Sequence, residues 1–222
     1  MTDIRVDHLT VPRTARYAAF GPAPADADEW WIVLHGYGQR AADFLGTCGA
    51  LDNGRRLVVA PEALSRFYNA GANGGMADAT VGASWMTRED RENEIADYLR
   101  YLDTLVAALR DGVAAPPPVH VLGFSQGTAT ASRWVASGRV TVARLVVWGG
   151  VIAPELDLTS ADAPMRRTRV QIVVGTRDQF ATPERVAAEQ ARLDAAGLAY
   201  EGITFEGGHR LDNRTLAAIA AS

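Results

Sequence analysis

The sequence predicts an α/β fold: a mostly parallel, doubly wound sheet with helices on both faces. Three observations point there. Short runs of nearly continuous apolar residues recur along the chain, at WWIVLH (30–35), RRLVVA (55–60), VHVLGF (119–124), ARLVVWG (143–149) and RVQIVVG (169–175). Unbroken rather than alternating hydrophobicity marks strands covered on both faces, as in a parallel sheet. Helical patterns fall between these runs, and alternation of strand with helix is the signature of the layered α/β class.

Taken in order, the first 20 residues hold two alternating stretches, IRVDHLTV and ARYAAF, expected to form an antiparallel hairpin at a sheet edge. AADFLGTCGAL (41–51) reads as a helix carrying Cys48 as a small buried hydrophobe. Residues 66–88 read as a long glycine-rich loop, and GANGG (71–75) and AAPPP (114–118) as local loop signals. From Arg91 to Arg110, Ile95, Tyr98, Leu99, Leu102, Leu105, Val106 and Leu109 share one helical face. Thr182-Pro183-Glu184 supplies a cap, a first-turn proline and an acid for a helix to about Ala196, which Gly197 ends. ITFEGG (203–208) is a weaker last strand, and 212–221 a final helix.

Composition narrows the function classes. The chain has 222 residues, 48% hydrophobic and 22% charged, enough for one substantial core spanning 1–222. A net charge of −4 without a basic stripe argues against nucleic acid as a partner. The single cysteine forbids an intrachain disulfide and fits a reducing compartment. MTDIRVDHLTV lacks a signal peptide's pattern, and no apolar run approaches the roughly 20 residues that span a bilayer. The expectation is a cytoplasmic protein without integral membrane association. A homodimer is compatible with this composition.

The chemistry concentrates at Gly123-Phe124-Ser125-Gln126-Gly127, between the run VHVL and the helix-compatible ATASRWVAS. A G-x-S-x-G pentapeptide alone is weak, and its serine could merely cap a helix. Between a buried strand and a helix it matches a nucleophile elbow. A serine hydroxyl needs a base, and the base needs an orienting acid. After such an elbow the acid comes first and the histidine last. Of four histidines (His8, His35, His120, His209), only His209 follows Ser125. Asp178 ends VVGTRD at the carboxyl end of a strand, where open α/β sheets place their sites. Glu206 and Asp212, which flank His209, are the nearest alternatives. An oxyanion needs two N–H donors. These positions point to the backbone of Gln126 and, from LHGYGQ (34–39), of Tyr37, with His35 bracing that loop. No His/Cys/Asp group has metal-ligand spacing, and no phosphate or dinucleotide fingerprint is present, so neither metal nor cofactor is expected.

Together LHGYG, GFSQG, GTRD and GGH resemble the phospholipase/carboxylesterase family of small α/β hydrolases, which includes acyl-protein thioesterases, from about Trp30 onward. The intervals are similar too: 53 residues from Ser125 to Asp178 and 31 from there to His209. The resemblance implies hydrolysis of a small-molecule carboxylic ester or thioester without cofactor, by Ser125, Asp178 and His209, with oxyanion donors at Tyr37 and Gln126. Lysophospholipase, thioesterase or acyltransferase chemistry of the same fold is the alternative, and a silent ligand-binding scaffold a more distant one. Two departures concern the substrate. ASWMTRED matches only Trp85 of a Trp-Phe-x-Asp-like family segment, and Trp148 stands where a small residue is usual, which would narrow the acyl pocket. Phe67, Tyr68, Trp85 and Met86 are candidates for a pocket wall or flap, with Trp85 as a core anchor the equal alternative. Phe180 is placed to face an acyl chain.

Overall fold

The computed structural model describes residues 2–70 and 78–222. Its strands and helices alternate much as the apolar runs foretell. The first half holds β1 (Tyr17–Phe20), β2 (Glu29–Leu34), α1 (Ala41–Gly46), β3 (Arg56–Pro61), β4 (Ser65–Asn69) and β5 (Thr80–Ser84). Then follow α2 (Arg91–Arg110), β6 (Val119–Phe124), α3 (Gln126–Ala136) and β7 (Arg144–Trp148). The chain closes with β8 (Arg169–Gly175), α4 (Pro183–Ala195), β9 (Glu201–Phe205) and α5 (Asn213–Ala221).

Seven strands form one sheet in the order β1-β3-β2-β6-β7-β8-β9, with only β1 antiparallel to its neighbour. Alternate residues of the central strands feed two cores. Trp30, Ile32 and Leu34 join Tyr98 and Leu102 of α2, Trp134 of α3 and Leu193 of α4. Trp31 and Val33 face Phe44 of α1 and Leu216 and Ile219 of α5 on the opposite side. Burial on both faces is why these strands carry no polar alternation. The predicted caps form: Thr182 Oγ1 accepts from the Arg185 N–H, and Gly197 takes φ 62°. Cys48 is buried between α1 and a short 3-10 turn at Gly49–Leu51, and burial pushes its thiol up to about 12.

Two expectations are corrected. The N-terminal hairpin does not form: β1 pairs with β3, and residues 2–16 contain no strand. The link between the two stretches holds Pro12 rather than a glycine turn, and the edge of β3 is taken by β1. Ile4, Val6, Leu9 and Val11 are left exposed. The long loop contains a hairpin instead, β4 against β5 with Ser65 opposite Ser84 and Asn69 opposite Thr80. GANGG (71–75), and with it part of the expected flap, lies outside the described residues.

At the amino ends of the strands, His120 lies stacked on Trp31 with ring centroids 4.9 Å apart. Its Nε2 lies 3.9 Å from Glu29, with Arg56 and Arg144 also acting on it. Burial is the main cause that lowers its pKa to about 4. An imidazole held neutral in the fold takes up its proton on unfolding near pH 6.5, so its stabilising effect is full above that pH and is lost towards pH 4. Thermal melts between pH 7 and 4.5 should show falling stability, less steeply in His120→Phe. Equal slopes would contradict this.

Candidate active site

The strand-to-helix junction at Ser125 is a strained turn. Ser125 has φ 52° and ψ −116°, one of two described non-glycine residues with positive φ. Its N–H donates to the Trp148 carbonyl at 2.9 Å, and its carbonyl accepts from the Thr128 N–H and hydroxyl. The motif glycines are demanded by backbone approach. A Cβ on Gly123 would lie 2.4 Å from the Gly127 oxygen, and one on Gly127 only 2.3 Å from the Leu34 oxygen. The elbow therefore packs directly on the end of β2, where a Cβ on Gly36 would come 3.2 Å from Ser125 Cβ.

Asp178 follows β8 and is buried; its Oδ1 accepts from the N–H groups of Phe180 and Ala181 at 2.9 and 3.2 Å. Its Oδ2 lies 2.8 Å from His209 Nδ1. With the carboxylate ionised, this pair puts the imidazole proton on Nδ1 and leaves Nε2 as the basic nitrogen. The ring rests on Phe124, the residue before Ser125, with centroids 4.8 Å apart, and Phe180 meets it edge-on at 4.7 Å. Beneath, the Trp148 indole N–H donates to the Arg210 carbonyl at 2.9 Å and holds the histidine's loop. The alternative acids are engaged elsewhere. Asp212 caps α5 through the Thr215 N–H at 3.0 Å, and exposed Glu206 pairs with Arg177 at 3.5 Å.

The loop after β2 is braced by His35, as expected. His35 Nε2 accepts from the Ala63 N–H at 3.1 Å, so Nδ1 carries the proton and donates to the Gly36 carbonyl at 2.7 Å. Burial lowers its pKa, which keeps Nε2 available as an acceptor. The Gly36 N–H donates to Gln39 Oε1 at 2.8 Å, and the Gly38 N–H to the Ala83 carbonyl at 2.9 Å. None of these hydrogen bonds uses the Tyr37 N–H. The Gln126 N–H belongs to the first turn of α3, where backbone donors have no intrahelical acceptor.

The expected pocket residues separate. Trp85 is 2% exposed, lies edge-on to Tyr98, and donates from its indole to the His35 carbonyl at 2.8 Å. It anchors the core instead of lining a wall. Trp148 is 1% exposed and packs on Phe205, so it supports the site from below. Phe180 is 54% exposed beside His209, and the Tyr37 ring lies tilted against Phe67 with centroids 5.1 Å apart. Sequence reasoning missed the Gln126 side chain, which binds Ser84, Trp85 and Met86; only its backbone had a readable role. Among the described residues, no group of side chains could hold a metal ion. No helix among them is long and apolar enough to cross a membrane.

No curated protein matches the chain. Solved structures resemble it at low identity. Zea mays acyl-protein thioesterase 2 is 15% identical with a TM-score of 0.71, covering 94% of this chain and 97% of the other. Esterase PE8 is 20% identical with a TM-score of 0.65 over the same shares. A phospholipase/carboxylesterase from Dyadobacter fermentans is 17% identical with a TM-score of 0.64, again over 94% and 97%. These likenesses establish the α/β-hydrolase fold. A family model described as phospholipase/carboxylesterase matches residues 23–222, a span that takes in the elbow, the Asp178–His209 pair and the loop after β2. On that match the chain belongs to the phospholipase/carboxylesterase family.

Proposed function

We propose that this family member is a serine carboxylesterase that hydrolyses small carboxylic esters or thioesters through an acyl-enzyme on Ser125. His209 Nε2 takes the proton from the Ser125 hydroxyl as Oγ attacks the carbonyl carbon. The carbonyl oxygen becomes an oxyanion held by the N–H groups of Tyr37 and Gln126. Collapse expels the alcohol or thiol, which takes its proton from His209. Water, deprotonated by His209, then attacks the acyl carbon and releases the acid and the serine. Asp178 stays ionised throughout and steadies the imidazolium. The cycle uses side chains and backbone alone, within one unit spanning residues 1–222.

One observation carries this reading: the imidazole that packs on Phe124, the neighbour in sequence of strained Ser125, is already fastened to Asp178 at 2.8 Å. A silent scaffold has no need to store that strain. Phe180, exposed beside His209, and Tyr37, exposed on the loop after β2, supply apolar surface for the acyl or leaving group. The test is a series of p-nitrophenyl esters of rising acyl length. Steady turnover preceded by a burst of about one p-nitrophenol per enzyme is expected where deacylation is the slower step. Failure to hydrolyse any ester or thioester in the series would contradict the assignment.

A further inference from the structure

We propose that the side chains of Gln126 and Trp85 are positioning residues that together set where the two oxyanion donors stand. The inference rests on the proposed roles of Tyr37 and Gln126 as those donors. They sit on separate segments, one on the loop leaving β2 and the other on α3. Residues 83–86 bridge them. On the α3 side the Gln126 amide is saturated: Oε1 accepts from the Trp85 N–H at 3.1 Å, while Nε2 donates to the Met86 carbonyl at 2.9 Å and to Ser84 Oγ at 3.1 Å. A flipped amide would set donor against donor and acceptor against acceptor, so its orientation is determined.

On the loop side the same bridge grips Tyr37 from both flanks. The Trp85 indole N–H holds the His35 carbonyl at 2.8 Å, and the Ala83 carbonyl accepts from the Gly38 N–H at 2.9 Å. Asn69 of β4 adds a hydrogen bond to the Gly38 carbonyl at 3.2 Å. Contact is close: a Cβ on Gly82 would lie 2.5 Å from the Gly38 oxygen. Displacement of residues 84–86 would thus be passed to the loop. A buried network with its members satisfied is stiff, and misplacement by about 1 Å can cost on the order of 100-fold in rate.

Trp85→Phe keeps an aromatic ring but leaves the His35 carbonyl unpaired; Gln126→Met keeps side-chain length but removes all three hydrogen bonds. Sites are first counted by exhaustive fluorophosphonate labelling, so that kcat is expressed per intact site. Each variant should then lose roughly ten- to a hundredfold in kcat with KM within about twofold. The double variant should lose little more than the worse single one, because both cut one chain of contacts. A purely structural role would lower the melting temperature and the number of labelled sites while leaving kcat per site unchanged. A kcat per site within about twofold of wild type in both variants overturns the proposal.

Hydrogen exchange gives a readout independent of turnover. The amides of residues 36–38 should exchange faster in Gln126→Met as well as in Trp85→Phe, although Gln126 lies at the far end of the bridge. Unchanged exchange there overturns the linkage. A wild-type protein that neither labels nor hydrolyses esters, with faster exchange in both variants, would instead refute the esterase reading and sustain the linkage.

Discussion

Ser125→Ala should reduce ester hydrolysis by on the order of 10⁴-fold or more, leaving the melting temperature within a few degrees of wild type. Without Oγ no acyl-enzyme forms, and the remaining groups can only polarise the carbonyl for a free water. The fold should be indifferent, because the elbow is held through the Ser125 backbone: its N–H on the Trp148 carbonyl, its carbonyl on Thr128. A further contrast separates chemistry from strain. Ser125→Gly should be as inactive as the alanine variant yet more stable, since glycine accepts φ 52° without penalty. Turnover of the alanine variant within about tenfold of wild type would remove Ser125 from the mechanism.

The largest effect on stability is expected at Gly127. Its added Cβ would lie 2.3 Å from the Leu34 oxygen and 2.8 Å from that of His35, both backbone atoms at the end of β2. That strand is paired on both sides, to β3 and β6, and Leu34 is fully buried, so the sheet has nowhere to move. Gly127→Ala should therefore cost about 3 kcal/mol or more in urea unfolding, with loss of activity as the elbow lifts off β2. Gly202→Ala is the control. It lies on the edge strand β9 with open space where its Cβ would go, and should change stability by no more than about 0.5 kcal/mol. Equal effects at the two positions would mean that the elbow does not bear on β2.

How legible the site was depended on what kind of feature carried each residue. Buried strands announce themselves, because Trp30–Leu34 and Val119–Phe124 need apolar side chains on both faces. Those strands end where Ser125 and the His35–Gln39 loop begin, so position along the chain already separated them from other serines and glycines. Alternation was a poorer guide. IRVDHLTV alternates but finds no edge to pair with, whereas β4 and β5, five residues each, were hidden by the glycine-rich text around them. A strand needs a partner, and single-sequence patterns do not supply one.

Side-chain direction was the other blind spot. Trp85 and Trp148 were readable as large aromatics near the site, but which face each takes depends on packing. The structure turns both into the core, where their indole N–H groups hold the His35 and Arg210 carbonyls. Asp212, three residues before Thr215, had the spacing of a helix cap and could have been set aside on that ground. The Gln126 side chain had no sequence signal, since its three partners lie 40 to 42 residues away in a segment read as loop.

The most direct test of Ser125 as the nucleophile is to label the protein with a fluorophosphonate and map the adduct by peptide mass spectrometry. One adduct per chain is expected, on the peptide carrying Ser125, and none in Ser125→Ala. An adduct on another residue, or a correctly folded wild-type protein that takes none, would contradict the account.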